Sequence, residues 1–281
     1  MGLKKGQKIA LSFLGALAIA AWAAPWLPLP SPYEIPLENS LQDPQWSHHP
    51  ILGTDAKGRD LFARTLAGAR ISLLVGLLGS AVALLIGLPF GAVAGFFGGK
   101  VDRFLMRTAD FLESIPLTMV VLFLLSFLGE YKTELASIGI GRLEVFYAAI
   151  GLLFWLPTAR VARAEASQLR KSLFVDSAFS AGASQSRIIF CHLFPNLLPS
   201  ALVMLTLTLP RVILMEAFLS FLGLGVEPPG VSWGILASEG MAALNPLVNS
   251  WWLLGVPALA LAATLLSLNH LGDSLRDRLA S

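Results

Sequence analysis

The chain has 281 residues, of which 55% are hydrophobic and only 14% are charged, and its formal net charge at pH 7 is +2. Soluble domains carry roughly 25% charged residues, so this composition excludes a protein whose surface faces mostly water. The small net charge gives no reason to expect a nucleic-acid partner, and the single cysteine, Cys191, excludes an internal disulfide. The composition therefore predicts an all-α membrane protein with several spanning helices.

Six segments are apolar enough to cross a membrane, for which about 20 apolar residues suffice. They lie near residues 9–29, 71–97, 111–129, 145–162, 197–222 and 251–269. Two are imperfect, because Glu113 lies within the third and Arg211 and Glu216 lie within the fifth. The predicted organisation is an N-terminal helix with an extracytoplasmic elbow over 1–70, followed by a five-helix core over 71–281.

The distribution of basic residues predicts that both termini lie in the cytoplasm. With that orientation most of the 20 Lys and Arg residues fall on the inner side, as the positive-inside rule requires. Residues 57–70 run against the rule, because they place four basic residues on the outer side. The predicted orientation therefore rests on the total number of basic residues on each side rather than on every loop. A cleaved signal peptide is the alternative for the first span, because Ala21-Trp22-Ala23 resembles a cleavage site.

Two short motifs in the elbow have the composition of tight turns. They are Gly53-Thr54-Asp55 and Gly58-Arg59-Asp60. Aspartate side chains in such motifs accept hydrogen bonds from the nearby backbone, and glycine relaxes φ. The motifs predict a folded elbow in which Arg59 and Arg64 pair with Asp55 or Asp60.

Four glycines follow one another at intervals of four in the second span: Gly87, Gly91, Gly95 and Gly99. Residues at this spacing share one helix face, and glycines there let a second helix approach closely. The pattern predicts a packing ridge rather than a pore filter.

The segment 163–196 is too polar to span a membrane, yet its pattern predicts order. Residues 173–181 favour a short helix, which Gly182 ends by adopting a positive φ. Ser184 is a candidate N-cap for a second helix over 185–193, which Pro195 is expected to stop.

One side of the first loop helix is apolar, because Phe174, Ala178 and Phe179 lie close at helical spacing. An exposed apolar face is costly unless something covers it. The face is therefore expected either to pack on the protein's own inner surface or to dock on a partner.

The loop contains a spaced motif that resembles the EAA loop of ABC-importer permeases. It consists of Asp176-Ser177-Ala178, three residues, Gly182, nine residues and then His192-Leu193-Phe194-Pro195. The family pattern is Glu-Ala-Ala, three residues, Gly, nine residues, Ile, any residue, Leu-Pro. This chain departs from it at Asp176, Ser177, His192 and Phe194. Segments 49–76, 216–240 and 272–280 resemble the C-type subunit of the dipeptide, oligopeptide and nickel group, so the likeness covers most of 49–280.

The resemblance implies a type I ABC-importer permease with six transmembrane helices and a cytoplasmic coupling helix, which inserts into a groove of the ATP-hydrolysing subunit. It assigns ATPase docking to Asp176, Ser177, Ala178, Gly182, Ala183, Ser184, His192 and Pro195. It also implies a second, B-type permease subunit, two cytoplasmic ATP-binding subunits and an extracytoplasmic solute-binding protein, in addition to membrane lipid. ATP and Mg are expected on the ATP-binding subunits, with no cofactor in this chain. The elbow residues Asp55, Arg59 and Asp60 become candidate contacts for the binding protein or the second permease.

The two charges in the fifth span are candidates for the translocation path or for the contact with the second permease. Charged side chains within a span usually face a cavity or a partner. Arg211 and Glu216 are five residues apart and fall on different faces of a helix. The alternative for Arg211 is a hydrogen bond to a neighbouring helix.

Other functions have weaker support. Residues 95–101 superficially resemble a phosphate loop, but three residues rather than four separate the outer glycines, and Val101 follows Lys100. An ion-coupled secondary transporter would need intramembrane carboxylates or broken helices, for which Glu113 and Glu216 are the candidates. The four histidines, His48, His49, His192 and His270, have no spacing typical of a catalytic or metal-binding site. His48 and His49 are adjacent, so their side chains point in different directions.

The sequence thus predicts a multi-pass permease subunit, not an enzyme, of the bacterial inner membrane. Its predicted function is the import of di- or oligopeptides, driven by ATP hydrolysis in partner subunits. Import of nickel complexes or of another small solute by the same machinery is the alternative.

Overall fold

The computed structural model describes residues 4–45, 50–131, 134, 137, 142–226, 229–245 and 247–280. Regular structure in these residues is helical, apart from two isolated bridges, Thr54–Asp60 and Asn245–Val248. The predicted all-α class is therefore confirmed. His48 and His49 lie outside the described residues.

The helices follow one another as α1 Lys5–Ala23, α2 Leu61–Phe97, α3 Gly99–Ser114, α4 Leu117–Glu130, α5 Arg142–Leu169, α6 Leu173–Ser180, α7 Gln185–Phe221, α8 Trp233–Ala243 and α9 Trp252–Ala280. Short 3₁₀ turns lie at Ala24–Trp26 and Leu37–Asn39. Helix α7 is continuous but composite, with an α-helical turn Gln185–Arg187, a π-helical segment Ile188–Leu193 and a long α-helix Phe194–Phe221.

In the described part of the chain, four helices are long and apolar enough to cross a membrane. They are Lys5–Trp26, Leu61–Phe97, Gln185–Phe221 and Trp252–Arg278. These helices contain most or all of the first, second, fifth and sixth predicted spans. The fourth predicted span, 145–162, lies within α5, which has 28 residues.

The third predicted span is wrong at its start. Helix α3 ends at Ser114 and α4 begins at Leu117. Ile115 is extended, with ψ 129°, as residues that precede a proline usually are. Glu113 therefore lies in the last turn of α3, not inside a span.

By its internal contacts the chain divides into two compact units. The first comprises Met1–Leu77 and Pro210–Leu271, and the second comprises Leu78–Leu209 and Gly272–Ser281. The division predicted at residues 70 and 71 falls inside α2, because that helix continues through Arg70 without a break.

The core of the first unit is centred on two tryptophans. Trp233 and Trp252 are each 1% exposed and pack with Leu61 and Leu236. Each indole N–H donates to a backbone carbonyl, that of Trp233 to Thr65 at 3.1 Å and that of Trp252 to the elbow residue Thr54 at 3.1 Å. Because buried indoles need such a partner, these two bonds fix both rings.

The core of the second unit depends on the predicted glycine ridge. A Cβ placed on Gly87, Gly91 or Gly95 would lie 2.5, 2.1 and 2.3 Å from backbone oxygens of α5, at Trp155, Ala159 and Arg163 respectively. The prediction is confirmed for these three glycines. Gly99 is not part of the ridge, because it follows the end of α2 with φ +54° and has no neighbour within 4 Å of its ideal Cβ.

The ridge predicts that Gly91→Ala destabilises the protein. The added methyl group would meet the Ala159 oxygen at 2.1 Å and the Ala162 Cβ at 2.8 Å, and a backbone oxygen cannot move aside. We expect the free energy of unfolding to fall by about 1–3 kcal/mol, seen as a lower melting temperature of the purified protein in detergent.

Gly15→Ala is the matched control, because the ideal Cβ of Gly15 in α1 has nothing within 4 Å. It should leave the melting temperature unchanged or raise it slightly. Equal melting temperatures for the two variants would contradict the close contact between α2 and α5.

Candidate functional site

The loop between α5 and α7 has the joint that its sequence predicts. Helix α6 ends in a Schellman motif, in which the N–H of Gly182 donates to the Phe179 oxygen at 2.9 Å and that of Ala183 donates to the Ala178 oxygen at 3.0 Å. Gly182 has φ +80°, a conformation that glycine adopts at little cost. Ser184 is the N-cap of α7, since its hydroxyl accepts from the Arg187 N–H at 3.3 Å.

The predicted stop at Pro195 is wrong, because α7 continues through this residue to Phe221. Proline lacks an N–H and its ring clashes with the carbonyl four residues earlier. Here the π-helical segment Ile188–Leu193 precedes it, and such wider turns accommodate an interrupted hydrogen-bond ladder. The side-chain amide of Asn196 then donates to the His192 oxygen at 2.6 Å.

One face of the loop packs on the protein itself. Val175, Ile188 and Leu193 are each 0% exposed and belong to a core that includes Phe96 of α2 and Ala166 of α5. Sequence analysis did not identify Val175 as the anchor of α6, because a single valine among exposed residues gives no periodic signal. The loop is therefore seated on the second unit through its own apolar side chains.

The loop also leaves large apolar side chains partly uncovered. One of them, Phe179, at the same time stacks on Phe96 of this core, with the ring centroids 6.3 Å apart. We call Leu173, Phe174, Phe179 and Phe190 the exposed loop face; their exposed fractions are 83, 40, 43 and 68%. Phe174 and Phe179 belong to the predicted apolar face, whereas Ala178 is half-buried against the core.

The motif residues of the loop lie mainly at its surface. Asp176 and Ser177 are exposed in the first half of α6, and the carboxylate of Asp176 is in the first turn, where negative charge is favourable. The Ser177 hydroxyl donates to the Leu173 oxygen at 2.8 Å. His192 is half-buried and Pro195 is exposed.

Arginines of α5 brace the helices next to the loop. Arg163 donates through Nη2 to Asp102 of α3 at 2.6 Å, and Arg160 donates to Asp110 at 2.8 Å and to Glu113. Arg170 donates through Nη1 to the Phe97 oxygen at 3.0 Å, at the end of α2. The pairs are partly exposed and so contribute little stability individually. Sequence reasoning missed them, and it treated Glu113 as an intramembrane carboxylate.

The elbow in the first unit folds around Asp55. Its Oδ1 accepts from the backbone N–H groups of Lys57 and Arg59 at 2.8 and 3.0 Å. Its Oδ2 accepts from Arg59 Nε at 2.7 Å and from Arg64 Nη1 at 2.6 Å. The predicted pairing of the two arginines with Asp55 is confirmed. Asp60 has a separate role, since its Oδ1 accepts from the Ala63 N–H at 2.8 Å at the start of α2.

Sequence reasoning missed Glu239 of α8, the second acid in this cluster. Its Oε2 accepts from Arg59 Nη2 at 2.8 Å and from Arg64 Nη1 at 2.6 Å. Arg64 is 2% exposed, and a buried charge needs such partners. The available signal was a single acid in the otherwise uncharged α8. Its partners, 175 and 180 residues away, leave no pattern in one sequence.

Burial opposes the ionised form of Glu239, but Arg64 and Arg59 outweigh it and lower the pKa of this carboxyl below its ordinary value. Beside the cluster lies a cleft of about 280 Å³, lined by Asp55, Lys57, Arg64 and Glu239 among others. The elbow is thus pinned to α8 by paired charges and keeps a small opening at its surface.

The two charges of the fifth predicted span are placed differently from each other. Arg211 is exposed and has no ion pair or hydrogen bond among the described residues. Glu216 is 0% exposed, accepting from the Ser72 hydroxyl at 2.8 Å and the Ser220 hydroxyl at 2.7 Å. Ser72 Oγ also accepts from the Trp233 N–H at 3.4 Å, so Glu216 joins α2, α7 and α8 and lines no surface in this conformation.

Among the described residues, no group of three or more His, Cys, Asp or Glu side chains is arranged to hold a metal ion. The site residues therefore divide between a loop with both buried and exposed apolar side chains and an elbow held by charge pairs.

The elbow cluster predicts that Glu239→Gln lowers stability and changes its pH dependence. Because the folded-state pKa is lowered, the contribution is present above the ordinary value of 4.5 and is lost as pH falls through the folded value. We expect a loss of about 1–2 kcal/mol at pH 7, measured as melting temperature in detergent from pH 7 down to pH 3.

Glu38→Gln is the matched control, since Glu38 is exposed and forms no ion pair among the described residues. It should retain both the wild-type melting temperature and its pH dependence. A Glu239→Gln profile that coincides with that of the control would show that the cluster does not stabilise the elbow.

Comparison with known proteins identifies the family of this chain. The family model described as "Binding-protein-dependent transport system inner membrane component" matches residues 87–281. The oligopeptide transport system permease protein OppC of Haemophilus influenzae is 38% identical over 98% of this chain and 84% of its own length. The dipeptide transport system permease protein DppC of Bacillus subtilis is 36% identical over 98% of this chain and 82% of its own length.

Similarity extends to a third relative and to a solved structure. OppC of Escherichia coli K12 is 41% identical over 86% of this chain and 74% of its own length. A chain of the MetNI methionine ABC transporter, from crystals of inward-facing conformations, has a TM-score of 0.58 and 17% identity, covering 76% of this chain and 95% of that chain. At that identity the likeness shows the fold alone. The chain belongs to the family of binding-protein-dependent transport system inner membrane components, as an ABC-importer permease of the oligopeptide and dipeptide group.

Proposed function

We propose that this permease subunit imports di- or oligopeptides across the bacterial inner membrane, driven by ATP hydrolysis in partner subunits that dock on the loop 163–196. The observation that carries the docking proposal is the exposed loop face, whose large apolar side chains remain 40–83% exposed while Val175, Ile188 and Leu193 of the same loop are fully buried on the chain's own core. Large apolar side chains left in water are costly, and a partner that covers them gains the corresponding burial.

The loop geometry supports a mechanical role for the joint. Gly182 allows α6 to be set at an angle to α7, and Val175 and Ile188 hold the two sides of the joint on the same core. A partner that moves α6 therefore strains this core, and rearrangement of packed helices is a recognised form of switching. ATP binding in the partners then drives alternating access, with ATP and Mg bound outside this chain.

The assembly we propose contains this chain, a second homologous permease, two ATP-binding subunits and an extracytoplasmic solute-binding protein. Both termini of this chain then face the cytoplasm, as the distribution of basic residues indicates. Peptides are proposed as substrates because the curated relatives above are named for oligopeptide and dipeptide transport. Nickel complexes or another small solute, carried by the same machinery, are the alternative.

Co-purification and uptake test this function directly. The tagged chain, solubilised from its native membrane, should bring down a second permease and ATP-binding subunits. Cells with the intact system should take up labelled tripeptide, and vanadate should abolish uptake in membrane vesicles. Uptake that resists vanadate but collapses with the ion gradient would instead support an ion-coupled transporter.

The joint predicts that Gly182→Pro uncouples the assembly. Proline locks φ near −65°, whereas Gly182 has φ +80° and donates its N–H to the Phe179 oxygen. We expect insertion and binding of the second permease to persist, while recovery of the ATP-binding subunits and peptide uptake fall by roughly tenfold or more. Quantitative mass spectrometry of the pull-down measures the first, and labelled tripeptide the second.

Gly223→Pro is a matched control, because it breaks the same motif outside the loop. Gly223 has φ +79°, its N–H donates to the Ser220 oxygen at 3.1 Å, and the Leu224 N–H donates to the Leu219 oxygen at 2.8 Å. This variant should retain the ATP-binding subunits. Normal ATPase recovery and uptake with Gly182→Pro would contradict the proposed joint.

Arg211 is proposed to face the translocation path or the second permease, since it is exposed within a spanning helix and unpaired among the described residues. Arg211→Gln should lower peptide uptake by roughly tenfold in complexes that contain all partners, and Arg276→Gln, at an exposed arginine near the end of α9, should not. Unchanged uptake in the assembled Arg211→Gln complex would remove this residue from the path. Glu216 is not proposed for this role, because it has no exposed surface.

A further inference from the structure

A cavity of about 380 Å³ in the first unit is not used by the function proposed above. Its wall is formed by the end of α1, the first turns of α2 and the proline-rich strap between them, which we define as residues 24–33. The lining includes Ala21, Ala67, Arg70, Ile71 and Tyr33. This volume lies in the range of small-ligand sites.

Small side chains make the space in this cavity. Ala21 of α1 and Ala63 of α2 are 1% and 4% exposed, so the wall is closed behind them. Ala67, Ile71 and Leu74 continue the same apolar surface along α2. The strap adds Leu27, Leu29 and several prolines, whose rings have no N–H to satisfy. Most of the lining therefore suits a hydrocarbon chain rather than a polar solute.

One charged side chain, Arg70, lines this apolar space. Arg70 is exposed and forms no ion pair or hydrogen bond among the described residues. The other arginines of this segment, Arg59 and Arg64, form ion pairs with Asp55 and Glu239. An unpaired guanidinium beside apolar walls presents its donors to an anionic oxygen, and its planar fork matches the geometry of carboxylate and phosphate groups.

The position of Arg70 along the chain places this charge at the edge of the membrane. The uncharged run 71–97 begins at the next residue, and α2 is 37 residues long, about 55 Å at 1.5 Å per residue. A hydrocarbon core of roughly 30 Å cannot cover that length, so the charged end of α2 projects from it.

Aromatic residues at the same level agree with this boundary. Trp22, Trp26 and Tyr33 are 37, 83 and 53% exposed and stand at the end of α1 and along the strap. Trp and Tyr favour the level of the lipid headgroups. On α2 the cation of Arg70 is thus followed, towards the uncharged run, by the apolar side chains of Ile71 and Leu74, which is the order of groups in a phospholipid.

We propose that this cavity binds an anionic phospholipid, with the headgroup phosphate on Arg70 and one acyl chain along Ile71 and Leu74. The occupant is a lipid rather than a soluble anion, because most of the lining is apolar and both helices are candidate spans. The lipid fills the space between the strap and α2 and so fixes the end of α1. The proposal does not depend on which solute the importer carries.

Photolabelling in vesicles tests the proposal on the full-length chain, purified with its bound partners. Vesicles of phosphatidylethanolamine and phosphatidylglycerol receive a trace of phosphatidylglycerol with a diazirine in one acyl chain. After irradiation, mass spectrometry of the digested chain locates the label. We expect enrichment in residues 24–33 and 63–74 over the rest of α1 and α2.

Three variants and one control make the test specific. Arg70→Gln should reduce this label by roughly tenfold, the effect of losing one charge-assisted contact, and Arg70→Lys should retain most of it. Ala67→Leu, which fills the cavity, should also lose it. Arg276→Gln should label as the wild type does. Circular dichroism and melting temperature verify that each variant is folded.

Two outcomes would overturn the proposal. The first is a label that is uniform along both helices or unchanged in Arg70→Gln, which would show only general contact with the bilayer. The second is cross-linking of the strap to another protein chain in place of lipid, which would identify the cavity as a subunit contact.

Discussion

The close contact between α2 and α5 is the constraint on which the second unit depends. Gly87, Gly91 and Gly95 let the α5 backbone approach so closely that no Cβ would fit at any of them. Association of helices within a membrane relies on such packing, because lipid tails are as apolar as the side chains they would replace. With α5 fixed in this way, Ala162 and Ala166 present the floor on which Val175 and Ile188 of the loop are seated. The position of the loop 163–196 is therefore set by glycines that lie outside it.

The elbow of the first unit is fixed by a different kind of force. Asp55 and Glu239 share the two guanidinium groups of Arg59 and Arg64. Removing charges from water costs free energy, so such a cluster contributes little net stability. It does restrict the geometry of the elbow, because any misplaced partner leaves a buried charge uncompensated. Glu216 follows the same logic with hydroxyl groups as its partners. The charges of the elbow and Glu216 thus specify the fold, whereas Arg211 and Arg70 are exposed and have no ion pair or hydrogen bond among the described residues.

Local patterns predicted local structure well. The positive φ of Gly182, the N-cap at Ser184 and the turn around Asp55 depend on a few neighbouring residues, and each follows from the sequence. The glycine spacing predicted a ridge but could not say that α5 is its partner. Glu239 was missed because its partners are distant in sequence. The predicted stop at Pro195 was wrong because the rule that proline ends a helix assumes a regular α-helical hydrogen-bond ladder. The segment before Pro195 is π-helical. The missing N–H and the proline ring therefore fall where the backbone hydrogen bonds are already irregular.

That correction changes how the loop is connected to the membrane. A stop at Pro195 would have isolated both loop helices behind flexible ends. Instead the second half of the loop is continuous with a span, since α7 runs from Gln185 to Phe221. The only break within the described loop beyond α6 is at Gly182, where the Schellman motif ends that helix. The two sides of Gly182 are therefore connected differently. On one side the short helix α6 is anchored by the buried Val175, and on the other side Ser184 caps a helix that continues without a second break, although its segment Ile188–Leu193 is π-helical.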